Sequence, residues 1–131
     1  MKATPQFSQP CRALHRLSFA ERPGVDPAPL ICLISELGST RTEEVVCRAL
    51  DSILRHLVRL KGTEPDTKDA RRIAAIALQI GQSGIAQVAT DVARTIDAAD
   101  AIAYAATLAR LTRCCEVALN TLWDDIQKSI P

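Results

Sequence analysis

The chain has 131 residues, enough for one domain around a single hydrophobic core and too few for two. Lys+Arg of 16 against Asp+Glu of 15 leave a formal net charge of +1, so no long-range field draws the protein to nucleic acid or to an anionic membrane surface. Hydrophobic residues reach 47% while aromatics stop at 3%, and alanine is abundant, which disfavours a β-sandwich and points to an all-α class of closely packed helices.

Residues 1–24, with Pro5, Pro10, Pro23 and Gly24, read as an N-terminal arm with room for a short helix around Cys11 to Ala20. Residues 25–131 read as the domain proper. Asp26 can cap a first helix beginning at Pro27, in which Leu30, Ile31, Leu33, Ile34 and Leu37 form the apolar face before Gly38 ends it. Thr40 with Glu43 has capping-box spacing and opens a long second helix, with Val46, Ala49, Leu50, Ile53, Leu57 and Leu60 inward and Lys61-Gly62 as the stop. After the linker at 63–65, Asp66 caps a third helix to about Ile80, and Gly81 to Gly84 breaks it.

A fourth helix follows from near Ile85, with Ile85, Val88, Ala89, Val92 and Ile96 inward and Gln87, Asp91 and Arg94 outward, as far as a turn at Asp97 to Asp100. The fifth is expected to point Ala101, Ala105, Leu108, Leu111, Cys115, Leu119, Leu122 and Ile126 inward and Arg110, Arg113, Glu116, Asn120 and Asp124 outward. Short connections favour antiparallel neighbours, so the expected architecture is an up-down-up-down four-helix bundle closed at one end by the short additional N-terminal helix.

The third helix carries the strongest functional signal. Ile73, Ile76, Ala77 and Ile80 make its core stripe, which leaves Arg71, Ala75 and Leu78 on the opposite face with Ala74 and Gln79 at its edges. An ordinary surface helix would carry charges there. Small residues and a leucine mark either a face packed under the N-terminal arm or a docking surface for a partner, to which Arg72 and Gln82 are also assigned.

The layout from about Val25 to Trp123 resembles the histidine-containing phosphotransfer (HPt) domain of bacterial phosphorelays. VDPAPL at Val25 to Leu30 resembles the family's V/I-D-x-x-x-L opening, and Gly81 with Ile85, Val88 and Val92 looks like its glycine turn and the spacing beyond. Counting back from Gly81 sets Arg71-Arg72-Ile73-Ala74-Ala75 on the His-x-Leu-Lys-Gly signature, of which only Ile73 keeps its type. In the family the histidine accepts a phosphoryl group from a phosphoaspartate, the lysine offsets phosphate charge and the glycine lets the receiver domain approach. Arg71 stands where the nucleophile should be, and a guanidinium has no lone pair to offer. The resemblance therefore implies a pseudo-HPt that keeps the docking surface and loses the chemistry. Its partner would be a response-regulator receiver domain or a histidine kinase, with Arg71 able to engage the receiver's acidic pocket.

Two readings compete with it. A true phosphotransferase would have to use His56 or His15. However, His56 in HLVRLKG lies too far from Leu60 for the family signature, and it otherwise reads as a histidine at the border of the second helix's apolar face. A structural protein that self-associates through the same patch is the other, and the expected state is a monomer or weak homodimer.

No cofactor or metal site is expected. Cys11 and His15 have i, i+4 spacing without a second pair, and Gly81-Gln82-Ser83-Gly84 lacks the lysine and longer loop of a phosphate cradle. Asp97, Asp100, Asp124 and Asp125 sit at helix ends or on polar faces. The cysteines Cys11, Cys32, Cys47, Cys114 and Cys115 form an odd set without a C-x-x-C pair, and neighbours such as Cys114 and Cys115 bridge only with strain. Together with the absence of an apolar leader or of a run near the roughly 18 apolar residues of a membrane span, this points to a reduced, cytoplasmic home.

Overall fold

A computed structural model describes residues 24–129, with the side chains of 119, 122, 123 and 125–129 excepted. The arm expected over residues 1–24, with its short helix around Cys11 to Ala20, therefore lies outside the described residues except for Gly24. Among the described residues the structure is all-helical and consists of α1 (Ala28–Leu60), α2 (Thr67–Gln79), α3 (Ser83–Asp97) and α4 (Ala101–Ser129).

The start of α1 follows the sequence closely. The Asp26 carboxylate accepts a hydrogen bond from the Ala28 amide at 3.1 Å, and Pro27, at φ −73°, is already in helical conformation. The expected pair of helices around Gly38 takes a different form: they run on as one element in which Gly38 alone leaves helical angles, at φ 82° and ψ 168°. That combination is essentially restricted to glycine, so a single residue redirects the chain without a loop. Thr40 is therefore already inside a helical turn, and among the described residues no hydrogen bond joins it to Glu43 as a capping box would require.

The core is built from Leu30 and Ile34 of the first limb of α1, Val46, Ile53, Leu57 and Leu60 of the second, and apolar stripes of the other three helices. Ile73 and Ile80 represent α2 and its end, Ile85, Val88 and Val92 represent α3, and Leu111 with Cys115 represents α4. Each consecutive pair of helices packs together, most extensively α2 with α3, whereas α1 and α4 touch only sparsely.

One expectation for α4 is corrected. Ala101 and Ala105 are exposed, and the inward stripe runs through Tyr104, Leu108, Leu111, Cys115 and Ala118. Alanine is too small to distinguish faces by itself, so its spacing places the stripe one residue out of phase at the helix start. Tyr104 then does what an alanine could not: its hydroxyl donates to the Leu60 carbonyl, one of the acceptors left without an intrahelical partner at the end of α1.

Two glycine contacts fix how α1 enters the domain. The Asp26 amide donates to the Gly81 carbonyl at 2.7 Å, and the Gly84 amide donates to the Gly24 carbonyl at 2.7 Å. The start of the described chain is thus stitched to the turn between α2 and α3.

Candidate functional site

The helix α2 is bounded by strong local signals. The Asp66 side chain accepts from the Lys68 amide at 2.9 Å, as the sequence predicts for an N-cap. At the other end the Gln82 amide bonds the Ala77 carbonyl at 2.8 Å and the Gly81 amide bonds that of Leu78 at 3.2 Å, with Gly81 at φ 78°. This pairing is a Schellman stop, which requires a left-handed residue just past the helix.

Between these ends the sequence-predicted residues divide into groups. Arg71, Ala75 and Leu78 share one outward face, and Leu78 is 56% exposed despite its apolar side chain. Arg71 reaches across to α3, its Nη2 lying 3.3 Å from Asp97 Oδ2, with the two side chains 68% and 57% exposed. An ion pair this open to water contributes about 0–1 kcal/mol, so a partner can exchange it readily. Arg72 and Gln79 are also exposed but turn about 90° away toward α1. There, with Ile76, Arg48 and Cys32, they line a separate groove between α1 and α2.

Two more residues assigned to the docking surface do not join it. Ala74 is half-buried and packs against the core. Gln82 is only 3% exposed, because the Schellman turn carries it past the helix end and inward. It lines a groove on the α3–α4 side instead.

A cluster that the sequence did not assemble lies where α1 meets α2. His56 Nδ1 sits 2.7 Å from Asp69 Oδ1, with the side chains 15% and 14% exposed, and Arg59 Nη1 approaches the same oxygen at 3.7 Å. Asp69 lies in the first turn of α2, where a carboxylate also complements the helix dipole. The available signal was that His56 and Asp69 each border an apolar stripe on helices joined by a short linker. With Nδ1 engaged by the carboxylate, Nε2 is the ring nitrogen left for other chemistry. His15 and Cys11 lie outside the described residues.

The remaining candidates read as structure. Burial pushes the Cys115 thiol up to about 12, so it stays protonated and inert. The charge of Glu36 raises the Cys32 thiol, and burial raises that of Cys47. No disulfide joins the described cysteines, and Cys114 is half-buried beside the α3–α4 groove. Asp97 is taken by Arg71, and Asp100 accepts the Ala103 amide at 3.0 Å as the cap of α4. Asp124 is exposed, while the side chain of Asp125 is not among those described. Among the described residues no group of three His, Cys, Asp or Glu could hold a metal ion, and no helix is long and apolar enough to cross a membrane. The chain matches no protein-family model, no curated protein and no solved structure.

Proposed function

We propose that the protein is an HPt-like signalling module, an up-down-up-down four-helix bundle that docks a response-regulator receiver domain and relays no phosphoryl group. The observation that carries this reading is the outward face of α2. In the register of a phosphoacceptor histidine it presents the exposed Arg71, flanked by Ala75 and by a Leu78 that water solvates poorly. A planar guanidinium suits a carboxylate-lined pocket, the small Ala75 permits close approach, and Leu78 supplies apolar contact. Docking would exchange the Asp97 partner of Arg71 for the receiver's aspartates and leave the 57% exposed Asp97 carboxylate to water, at little cost for so open a pair. The module would act by competition or sequestration.

One observation favours a second reading, phosphotransfer through His56. Asp69 fixes the ring so that Nε2 can be the basic nitrogen, as a nucleophilic imidazole needs. Against it stands the shielding of that side chain, 15% exposed in the seam between two helices.

The experiment is incubation of the protein with a phosphorylated receiver domain, following complex formation and radiolabel transfer together. Binding without transfer, weakened about tenfold or more by Arg71→Glu, is the expected result for a loss of at least 1.4 kcal/mol. Transfer abolished in His56→Ala would replace this reading with a relay enzyme. Absence of both would leave self-association through the patch, to be read by light scattering.

A further inference from the structure

We infer that the groove between α3 and α4 is a binding site for a single-chain amphipathic carboxylate, a molecule of the fatty-acid class. The groove has a volume of about 520 Å³, inside the range of about 300–1,000 Å³ that holds small ligands. Its wall is mostly apolar, with Val25, Ile85, Val88 and Ala118 beside a Val117 that is 68% exposed. The charge is gathered at one end. Arg110 and Arg113 line the groove where α4 enters it, and Val117, Ala118 and Thr121 continue the wall about one to three turns further on.

Among the described residues no carboxylate lines the groove, and neither arginine has an ion-pair partner. Asp91 on the facing helix is held by Arg94 at 3.1 Å instead. Two guanidiniums beside an apolar surface match one anionic head on a molecule that is otherwise apolar. Gln82, only 3% exposed, adds a carboxamide to the wall. Among the described residues that carboxamide makes no hydrogen bond, which leaves its N–H groups to donate to an oxygen of the bound molecule. The length of the groove selects the size of the ligand. Arg110 to Thr121 spans about 16 Å along α4, and an extended carbon chain that advances about 1.2 Å per bond covers most of it with about a dozen carbons. A partner's helix of the same length, about 10 Å thick, fills roughly 1,200 Å³, more than this groove holds. The site lies apart from the α2 face and does not depend on the receiver reading.

The native Cys114 in the groove wall reports where a ligand sits. The probe is dodecanoate, kept below micelle formation, and alkylation by N-ethylmaleimide is followed at each cysteine by peptide mass spectrometry. With dodecanoate at about ten times its dissociation constant, Cys114 is expected to react about tenfold slower, with Cys32 and Cys47 unchanged as exposed controls. Arg110→Gln/Arg113→Gln, at two exposed positions, is expected to weaken dodecanoate binding about tenfold or more. An unchanged Cys114 rate would overturn the proposal, as would equal protection by uncharged dodecanol or in the variant. So would protection that falls on Cys32, which lines the α1–α2 groove beside Arg48 and Arg72. A Cys114 already silent without dodecanoate would overturn it too, because the groove is then covered by the protein itself.

Discussion

Replacing Gly81 by alanine tests how firmly the start of α1 is bound to the rest of the domain. Gly81 adopts φ 78°, and an added Cβ would lie 2.1 Å from the Asp26 carbonyl oxygen and 3.7 Å from Pro29 Cδ. The left-handed backbone costs an L-residue about 1–2 kcal/mol. Relief of the clash must push the Asp26 peptide away, which forfeits the 2.7 Å bond from its amide to the Gly81 carbonyl, a further 0.5–1.5 kcal/mol or so. The expected loss is about 1.5–3.5 kcal/mol in urea unfolding followed by far-UV circular dichroism. Gly38→Ala is the matched control, because Gly38 is also at positive φ, 82°, but its Cβ would meet nothing within 4 Å. That variant should lose only the backbone cost, about 1–3 kcal/mol, without detaching anything. Amide exchange at Leu30 and Ile34 distinguishes the two: it should accelerate in Gly81→Ala beyond what the global loss explains. A Gly81→Ala protein within about 0.5 kcal/mol of the parent would refute the stitched geometry.

Thr42 is 2% exposed and its hydroxyl has no hydrogen-bond partner among the described residues, so Thr42→Val, which keeps the shape and removes the orphan, should stabilise the fold by about 1 kcal/mol in the same urea assay. His56→Ala removes the contact to Asp69 between α1 and α2 and should cost about 1–3 kcal/mol, whereas an unchanged midpoint would show that the pair contributes nothing. The Cys115 thiol is raised in the folded state from an ordinary 9.0 to about 12, so its stabilising contribution is complete below pH 9 and is lost as pH rises toward 12. Urea stability should accordingly fall across that window more steeply in the parent than in Cys115→Ala, with the alkaline titration of Tyr104 common to both.

Much of the fold could be read from the sequence because its punctuation is local. Asp66, Gly81 and Asp26 act through their own backbone neighbours, and each makes the bond its position predicts. The stripes of α2 and α3 were equally legible, since isoleucine and valine mark a buried face without ambiguity. The start of α4 was not, because the alanines around Tyr104 are compatible with either face and only the distant Leu60 carbonyl decides between them. The candidate surface was legible as a face but not as a boundary. Arg71, Ala75 and Leu78 share a direction fixed by helical geometry, whereas the fate of Gln82 depends on a turn and that of Arg72 and Gln79 on the neighbouring helix. The His56–Asp69 contact was hidden because it joins residues on separate helices, and no spacing rule reaches across a linker.

The sparse contact between α1 and α4 gives the molecule a mechanical character. The α2–α3 pair is a spine, α1 and α4 hang from it like the covers of a book, and the Tyr104 hydroxyl on the Leu60 carbonyl is the side-chain clasp between them. A body built this way opens at its clasp while its spine stays shut, so slow breathing is concentrated at the end of α1 and the beginning of α4. Phenylalanine in place of Tyr104 would undo the clasp and leave the packing of α2 on α3 unaltered.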